Sequence, residues 1–196
     1  TPYIVLALVV ATVVHEGGHA VACRAADVRV EEWGLALLFG VVPLAGYVLP
    51  GEELDAVPTR AQLRVYSIGV FHNLLVAAVA VALLLSPLTA SPRVAFLEYF
   101  GWAVVGGGPP TAATVAGLGA LTNVAFWLAL LNVNFGLLNA LPISALDGGR
   151  VLSLTLTHLD RTTALDLTPR THWLARHGAS VAVITLVVLA IVGPAL

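Results

Sequence analysis

Three stretches of this chain are long and apolar enough to cross a lipid bilayer as helices, and they limit its fold more than any other feature. They cover residues 3–23, 66–85 and 118–138, and a fourth stretch, 179–196, is just long enough. A spanning helix needs about 20 apolar residues. The composition agrees, because only 10% of the residues are charged, whereas soluble domains are about one quarter charged. We therefore predict an all-α polytopic membrane protein with about four transmembrane helices.

The segment between the first two spans has a different character. Residues 33–49 are apolar, but glycines and a proline interrupt them. Such breaks disfavour a helix, and the content of Val, Leu, Phe and Tyr favours strands. We predict a short membrane-associated β-strand or re-entrant region here. Residues 94–105 are too short to span and contain Glu98, so we expect an interfacial or loop segment.

The arginines predict the orientation of these spans. With four crossings, one side of the membrane carries eight of the nine arginines and the other carries only Arg93. By the positive-inside rule the arginine-rich side lies in the cytosol. We expect a multi-pass protein of the cell membrane. The net charge of −2 and the lack of an arginine cluster argue against a nucleic-acid partner, and oligomeric state is left open.

The first span ends in a pattern that can bind a metal ion, His15-Glu16-Gly17-Gly18-His19. On a helix, residues four apart share a face, so both imidazoles can grip one ion while Glu16 lies beside them. The pattern alone also arises by chance. Polar residues inside an apolar span, however, are costly unless they are paired or ligate something. The sequence therefore predicts a metal centre near the end of this span.

A third ligand is expected at the same depth, and Asp147 is the best candidate. It follows Pro142, which interrupts the third span, and it precedes Gly148-Gly149, which lets the backbone turn closely. The predicted topology brings Asp147 to the same side as the two histidines. Taken alone, Asp147 fits the N-terminal cap of the next helix equally well. Cys23 lies on the histidine face too, and we expect a small buried residue there.

Three motifs in order resemble the site-2 protease family of intramembrane zinc metalloproteases. They are the HEGGH segment, a G-x-x-x-N pattern from Gly69 to Asn73, and an N-x-x-P-x-x-x-L-D-G pattern from Asn139 to Gly148. The stretch 43–48 is also similar to the membrane-associated strand region of that family. Many members have a helix before the HExxH span and a PDZ insertion. We therefore expect one intramembrane protease domain over 1–196, truncated and without a PDZ domain.

The resemblance implies roles for individual residues. His15, His19 and Asp147 would bind one zinc ion, and Glu16 would act as general base and then general acid. Asn73, Asn139 and His72 would contribute to oxyanion stabilisation or substrate binding, although asparagines also commonly tie membrane helices together. The implied substrates are membrane-anchored regulatory proteins with a single transmembrane segment, held in the lipid bilayer and cut in or near that segment.

Two other functions are open at this point. A CAAX-type membrane zinc protease also carries HExxH, but takes a glutamate from a later helix as third ligand. The acidic residues available beyond Arg64 are Glu98, Asp147, Asp160 and Asp166, and Glu98 falls on the wrong side of the predicted membrane. The second possibility is a non-proteolytic zinc-binding or zinc-transport protein that keeps the same ligands.

Overall fold

The computed structural model describes residues 2–38, 42–163 and 167–192, and these are mostly helical. Two helices and a hairpin come first, namely α1 (Pro2–Ala25), β1 (Val30–Leu38), β2 (Val42–Pro50) and α2 (Glu53–Ala56). The remaining helices are α3 (Thr59–Leu84), α4 (Pro92–Val105), α5 (Ala112–Gly117), α6 (Ala120–Ala140), α7 (Asp147–Thr162) and α8 (Pro169–Val192).

Four of these helices, α1, α3, α6 and α8, are long and apolar enough to span a membrane. This confirms the predicted all-α polytopic membrane fold. Many of their large apolar side chains are exposed, including Val13, Phe71, Leu137 and Leu186, as expected for helices whose solvent is lipid. The predicted strand region is a two-stranded antiparallel hairpin, β1–β2.

Two segments differ from the sequence prediction, one in its secondary structure and one in where its helix begins. The segment at 94–105 is the 14-residue helix α4, because Ser91 caps its first turn by accepting a hydrogen bond from the Val94 amide, and Pro92 follows the cap. α8 begins about ten residues before the predicted span, at Pro169. Polar residues such as His172 and Arg176 lie in the first turns of α8, so a prediction based on hydropathy alone starts the helix too late.

The described residues form two compact units. The first holds the residues up to Val14 together with His72–Phe135. Its core is aromatic, since the Tyr99 ring stacks on Phe126 with centroids 5.1 Å apart and meets Trp127 edge-on at 4.9 Å. Asn123 ties the helices of this core together. It accepts a hydrogen bond from the Tyr99 hydroxyl at 2.6 Å and donates to the Val115 and Gly119 carbonyls at 2.8 and 2.9 Å.

The second unit holds His15–Phe71 and the residues from Gly136 onward. It contains the hairpin, in which Trp33 pairs with Val48 and Gly34 with Tyr47. A small core of Cys23, Val28, Leu54 and Val65 lies where α1, the turn that follows it, α2 and the start of α3 meet. Cys23 is fully buried in this core, as predicted. Trp33 is 80% exposed, as suits a hairpin at a membrane surface.

Candidate metal centre and active site

Three side chains of the second unit converge on one point. The Nε2 atoms of His15 and His19 lie 3.2 Å apart, and Asp147 Oδ2 lies 3.0 Å from the first and 3.1 Å from the second. Both histidines are buried. Among the described residues, this is the group of His, Cys, Asp and Glu side chains that could hold a metal ion. The structure thus brings together the three residues that the sequence predicted as ligands.

His19 is oriented by a backbone carbonyl. Its Nδ1 lies 2.6 Å from the Val65 oxygen of α3. A carbonyl oxygen can only accept, so Nδ1 carries the proton and a neutral His19 presents a bare Nε2 lone pair. This Nε2 faces the Asp147 carboxylate oxygen, which is also an acceptor. Two acceptors at 3.1 Å need a cation or a shared proton between them, and a metal ion meets that need.

A glycine of α3 makes room for this arrangement. A Cβ atom at Gly69 would lie 2.7 Å from both His15 Cε1 and His19 Nε2. Real side chains do not approach this closely, so only glycine lets α3 pass the imidazoles. The sequence singled out Gly69 as part of a motif but gave no reason for it. That reason needs the relative position of two helices, which periodicity within one helix cannot supply.

Asp147 reaches the histidines because the chain turns sharply after α6. Cβ atoms at Gly148 and Gly149 would overlap the carbonyl oxygens of Ala140 and Ile143, so the start of α7 packs directly on the end of α6. Asp147 is the first residue of α7, where the helix dipole favours a carboxylate. Burial raises the pKa of the Asp147 carboxyl, but hydrogen bonds from the two imidazoles, when their Nε2 atoms carry protons, lower it by more, so the pKa then lies below its ordinary value.

Glu16 lies beside this group and lines the same cavity. The cavity has a volume of about 590 Å³ and is bounded by α1, β2, α3 and α7. The backbone amide of Val48, in β2, interacts with the Glu16 carboxylate. Arg150 also lines the cavity, and its guanidinium lies over the Tyr66 ring, 5.9 Å from the centroid. The site thus combines metal ligands, a carboxylate and space for a substrate.

The cavity wall contributed by β2 is a free strand edge. Gly51, just after β2, donates to the Arg29 carbonyl at 2.7 Å. The register irregularity next to this pair places its extra residue in β1, so the alternation of β2 continues unbroken and Leu49 and Tyr47 face β1. In an antiparallel pair the alternate residues point their N–H and C=O groups away from the partner strand. Gly46, Val48 and Pro50 therefore direct their backbone groups outward. In the described part of the chain no other strand pairs with this edge.

The remaining predicted residues are divided between the two units. Asn139 lines the cavity. Asn73 and His72 belong to the first unit, and their roles stay predictions. Asn73 is fully buried, and among the described residues neither its amide nitrogen nor its oxygen has a hydrogen-bond partner.

Apolar membrane-spanning helices that hold two histidines, an aspartate and a glutamate in one cavity are typical of metal-dependent membrane proteases. The sequence model of peptidase family M50 matches residues 3–185, and the chain belongs to this family. Membership implies intramembrane metalloprotease activity and confirms the site-2 protease resemblance. No curated protein and no solved structure matches the chain.

Proposed function

We propose that this protein is a zinc metalloendopeptidase of the site-2 protease type, which cuts membrane-anchored proteins in or near their transmembrane segments. The observation that carries this proposal is the triangle of His15, His19 and Asp147 beside Glu16. Its edges of 3.0–3.2 Å are close to the spacing of about 3.3 Å expected for ligands around a tetrahedral zinc with bonds of about 2.0–2.1 Å. Three protein ligands are the usual set in a catalytic zinc site.

The mechanism assigns each residue one task. Bound zinc supplies Lewis-acid chemistry, because it makes water more acidic and polarises a carbonyl group. The Glu16 carboxylate accepts the proton of the attacking water and then donates it to the leaving nitrogen. The bond of His19 Nδ1 to the Val65 carbonyl would keep its Nε2 oriented to serve as a ligand. Asn139, which lines the cavity, is proposed to donate a hydrogen bond to the developing oxyanion.

The free edge of β2 offers a way to hold the substrate. A transmembrane helix hides its carbonyl groups in internal hydrogen bonds, so the segment to be cut must first unwind. An unwound segment can pair by β-addition with the outward N–H of Gly46 and with the outward carbonyl groups of Gly46 and Val48, since the Val48 amide already interacts with Glu16. Because Val48 adjoins Glu16, such pairing would bring the segment to the catalytic carboxylate. The arginine distribution supports a site that opens toward the cytosol.

The catalytic assignment is tested with Glu16→Gln. We expect wild-type zinc content, measured by elemental analysis, and a loss of cleavage of a model single-span substrate of about 100- to 10,000-fold. Glu98→Gln is the matched control, because it makes the same change on α4, outside the residues that line the cavity.

Two results would contradict the proposal. Equal turnover by wild type and Glu16→Gln would remove the catalytic role of Glu16. Zinc movement across proteoliposomes without any cleavage would favour the transport function. For the CAAX-type alternative, Asp147→Ala is decisive, because retention of zinc by this variant would show that another residue is the third ligand.

The strand-addition step is tested with a pair of prolines at facing positions, since Gly46 pairs with Leu35 across the hairpin. Gly46→Pro removes an N–H from the edge that lines the cavity, and Leu35→Pro removes one from the opposite edge. We expect Gly46→Pro to raise KM about fivefold to tenfold, as loss of one backbone hydrogen bond implies, and Leu35→Pro to leave KM near the wild-type value. Similar KM values for both variants would contradict strand addition.

A further inference from the structure

Helix α8 is attached to the rest of the second unit in an unusual way. Of its described side chains, Ser180 is the buried one, at 7% exposure. The neighbouring apolar residues face outward, with Val181 at 65% and Leu186 at 66% exposure. Small residues, serine among them, are common where membrane helices pack, and a serine hydroxyl can hydrogen-bond to a neighbouring element. The hydrogen-bond partners of Ser180 show which element it contacts.

Ser180 uses its full hydrogen-bonding capacity. Its Oγ accepts from the Ser144 amide at 2.9 Å, lies 3.0 Å from Ser144 Oγ, and donates to the Arg176 carbonyl at 2.9 Å. The Pro142 carbonyl is a further acceptor at 3.4 Å. A serine hydroxyl has one donor and two acceptor sites. If the Ser144 hydroxyl donates to Ser180, all three sites are occupied, and two of them hold the loop at 141–146.

This loop carries the third side chain of the metal centre. Ser144 lies inside a turn that is closed by a hydrogen bond of 2.8 Å from the Leu146 amide to the Ile143 carbonyl. Asp147 follows this turn directly. Ser144, whose amide donates to Ser180, precedes Asp147 by three residues in the sequence. The Asp147 Oδ2 atom lies 3.0 and 3.1 Å from the Nε2 atoms of His15 and His19.

We propose that Ser180 is a positioning residue for the metal centre: by hydrogen bonds to Ser144 it fixes the loop that presents Asp147, and so couples α8 to zinc affinity. This inference rests on the proposed zinc site. Groups that orient metal ligands contribute about 10- to 100-fold to metal affinity. Ser180 acts through the loop rather than on the ligand, so the lower end of this range applies.

The test compares Ser180→Ala with Gly178→Ala, which adds a methyl group on the same helix where nothing lies within 4 Å. Zinc affinity is measured by competition with a chelator, and the melting temperature is measured with and without zinc. We expect Ser180→Ala to weaken zinc binding about tenfold and to reduce the zinc-induced rise in melting temperature. Gly178→Ala should change neither quantity.

The second measurement separates positioning from a general structural role. A merely structural serine would lower the melting temperature equally in the metal-free and zinc-bound forms, and that result would overturn the inference. Ser144→Ala is the second variant. It removes one of the two bonds to the loop, so a zinc affinity between wild type and Ser180→Ala supports the inference. Wild-type zinc affinity in Ser180→Ala overturns the inference alone, whereas a wild type without zinc overturns the proposed function as well.

Discussion

Asn123 in the first unit and His19 in the second are both buried polar side chains, but they are partnered differently. In the first unit Asn123 makes three hydrogen bonds, to Tyr99, Val115 and Gly119, and every group it offers is used within the protein. In the second unit, acceptor atoms of His19 and Asp147 face each other at 3.1 Å. A fully bonded polar group in a membrane protein is structural, whereas acceptors that face each other indicate a site for a cation.

The largest effect on zinc affinity is expected at Gly69, where α3 passes close to the imidazoles of His15 and His19. Gly69→Ala places a methyl group 2.7 Å from the imidazole atoms of both histidines. We expect zinc affinity to fall about 100-fold, since the ligands lose their orientation, and cleavage to fall with it.

The control for this variant is Gly17→Ala, which lies between the two histidines in sequence but has nothing within 4 Å of its added methyl group. It should keep its zinc. Should Gly17→Ala lose zinc as readily as Gly69→Ala, the close packing of α3 on the imidazoles would not be the cause.

A smaller effect of another kind is expected in the first unit. Asn123→Ala removes three hydrogen bonds and leaves the Tyr99 hydroxyl without its acceptor. We expect the free energy of unfolding to fall by about 1–3 kcal/mol, measured by denaturation in mixed micelles. Zinc affinity should not change. A zinc affinity of Asn123→Ala well below that of the wild type would contradict the distinction between a structural and a ligating polar residue.

The smallest effect is expected for Tyr99→Phe, which removes one of those three bonds and keeps the ring stack with Phe126. A single hydrogen bond between membrane helices contributes about 0.6 kcal/mol. The same denaturation measurement should therefore give a loss well below that of Asn123→Ala. An equal loss in both variants would mean that Tyr99 provides most of the stabilisation by Asn123.

The sequence predicted those features that a single helix or a single residue type determines. Apolar length predicted the four spans, and the four-residue spacing of His15 and His19 predicted a shared face. Asp147 was predictable because Pro142 interrupts the third span just before it and the predicted topology brings it to the same side as the two histidines. The close packing of Gly69 against the imidazoles and the hydrogen bonds between Ser180 and Ser144 are contacts between elements far apart in the sequence. No local sequence pattern predicts such contacts. Residues 94–105 were predicted as an interfacial or loop segment, and the Ser91 cap that begins helix α4 lies just before that segment.

The edge of β2 ends at Pro50, and under the proposed strand addition this would limit which segments the protease can hold. Proline has no N–H to offer, and the Val48 amide interacts with Glu16, so over residues 46–50 a visiting chain meets a free amide donor only at Gly46. Such a short set of backbone hydrogen bonds gives little preference for one substrate sequence over another, because the bonds are made to the main chain and not to side chains. Substrate selection would then depend on how readily each transmembrane helix unwinds near its cleavage site, and a stable helix without interruptions would not be cleaved.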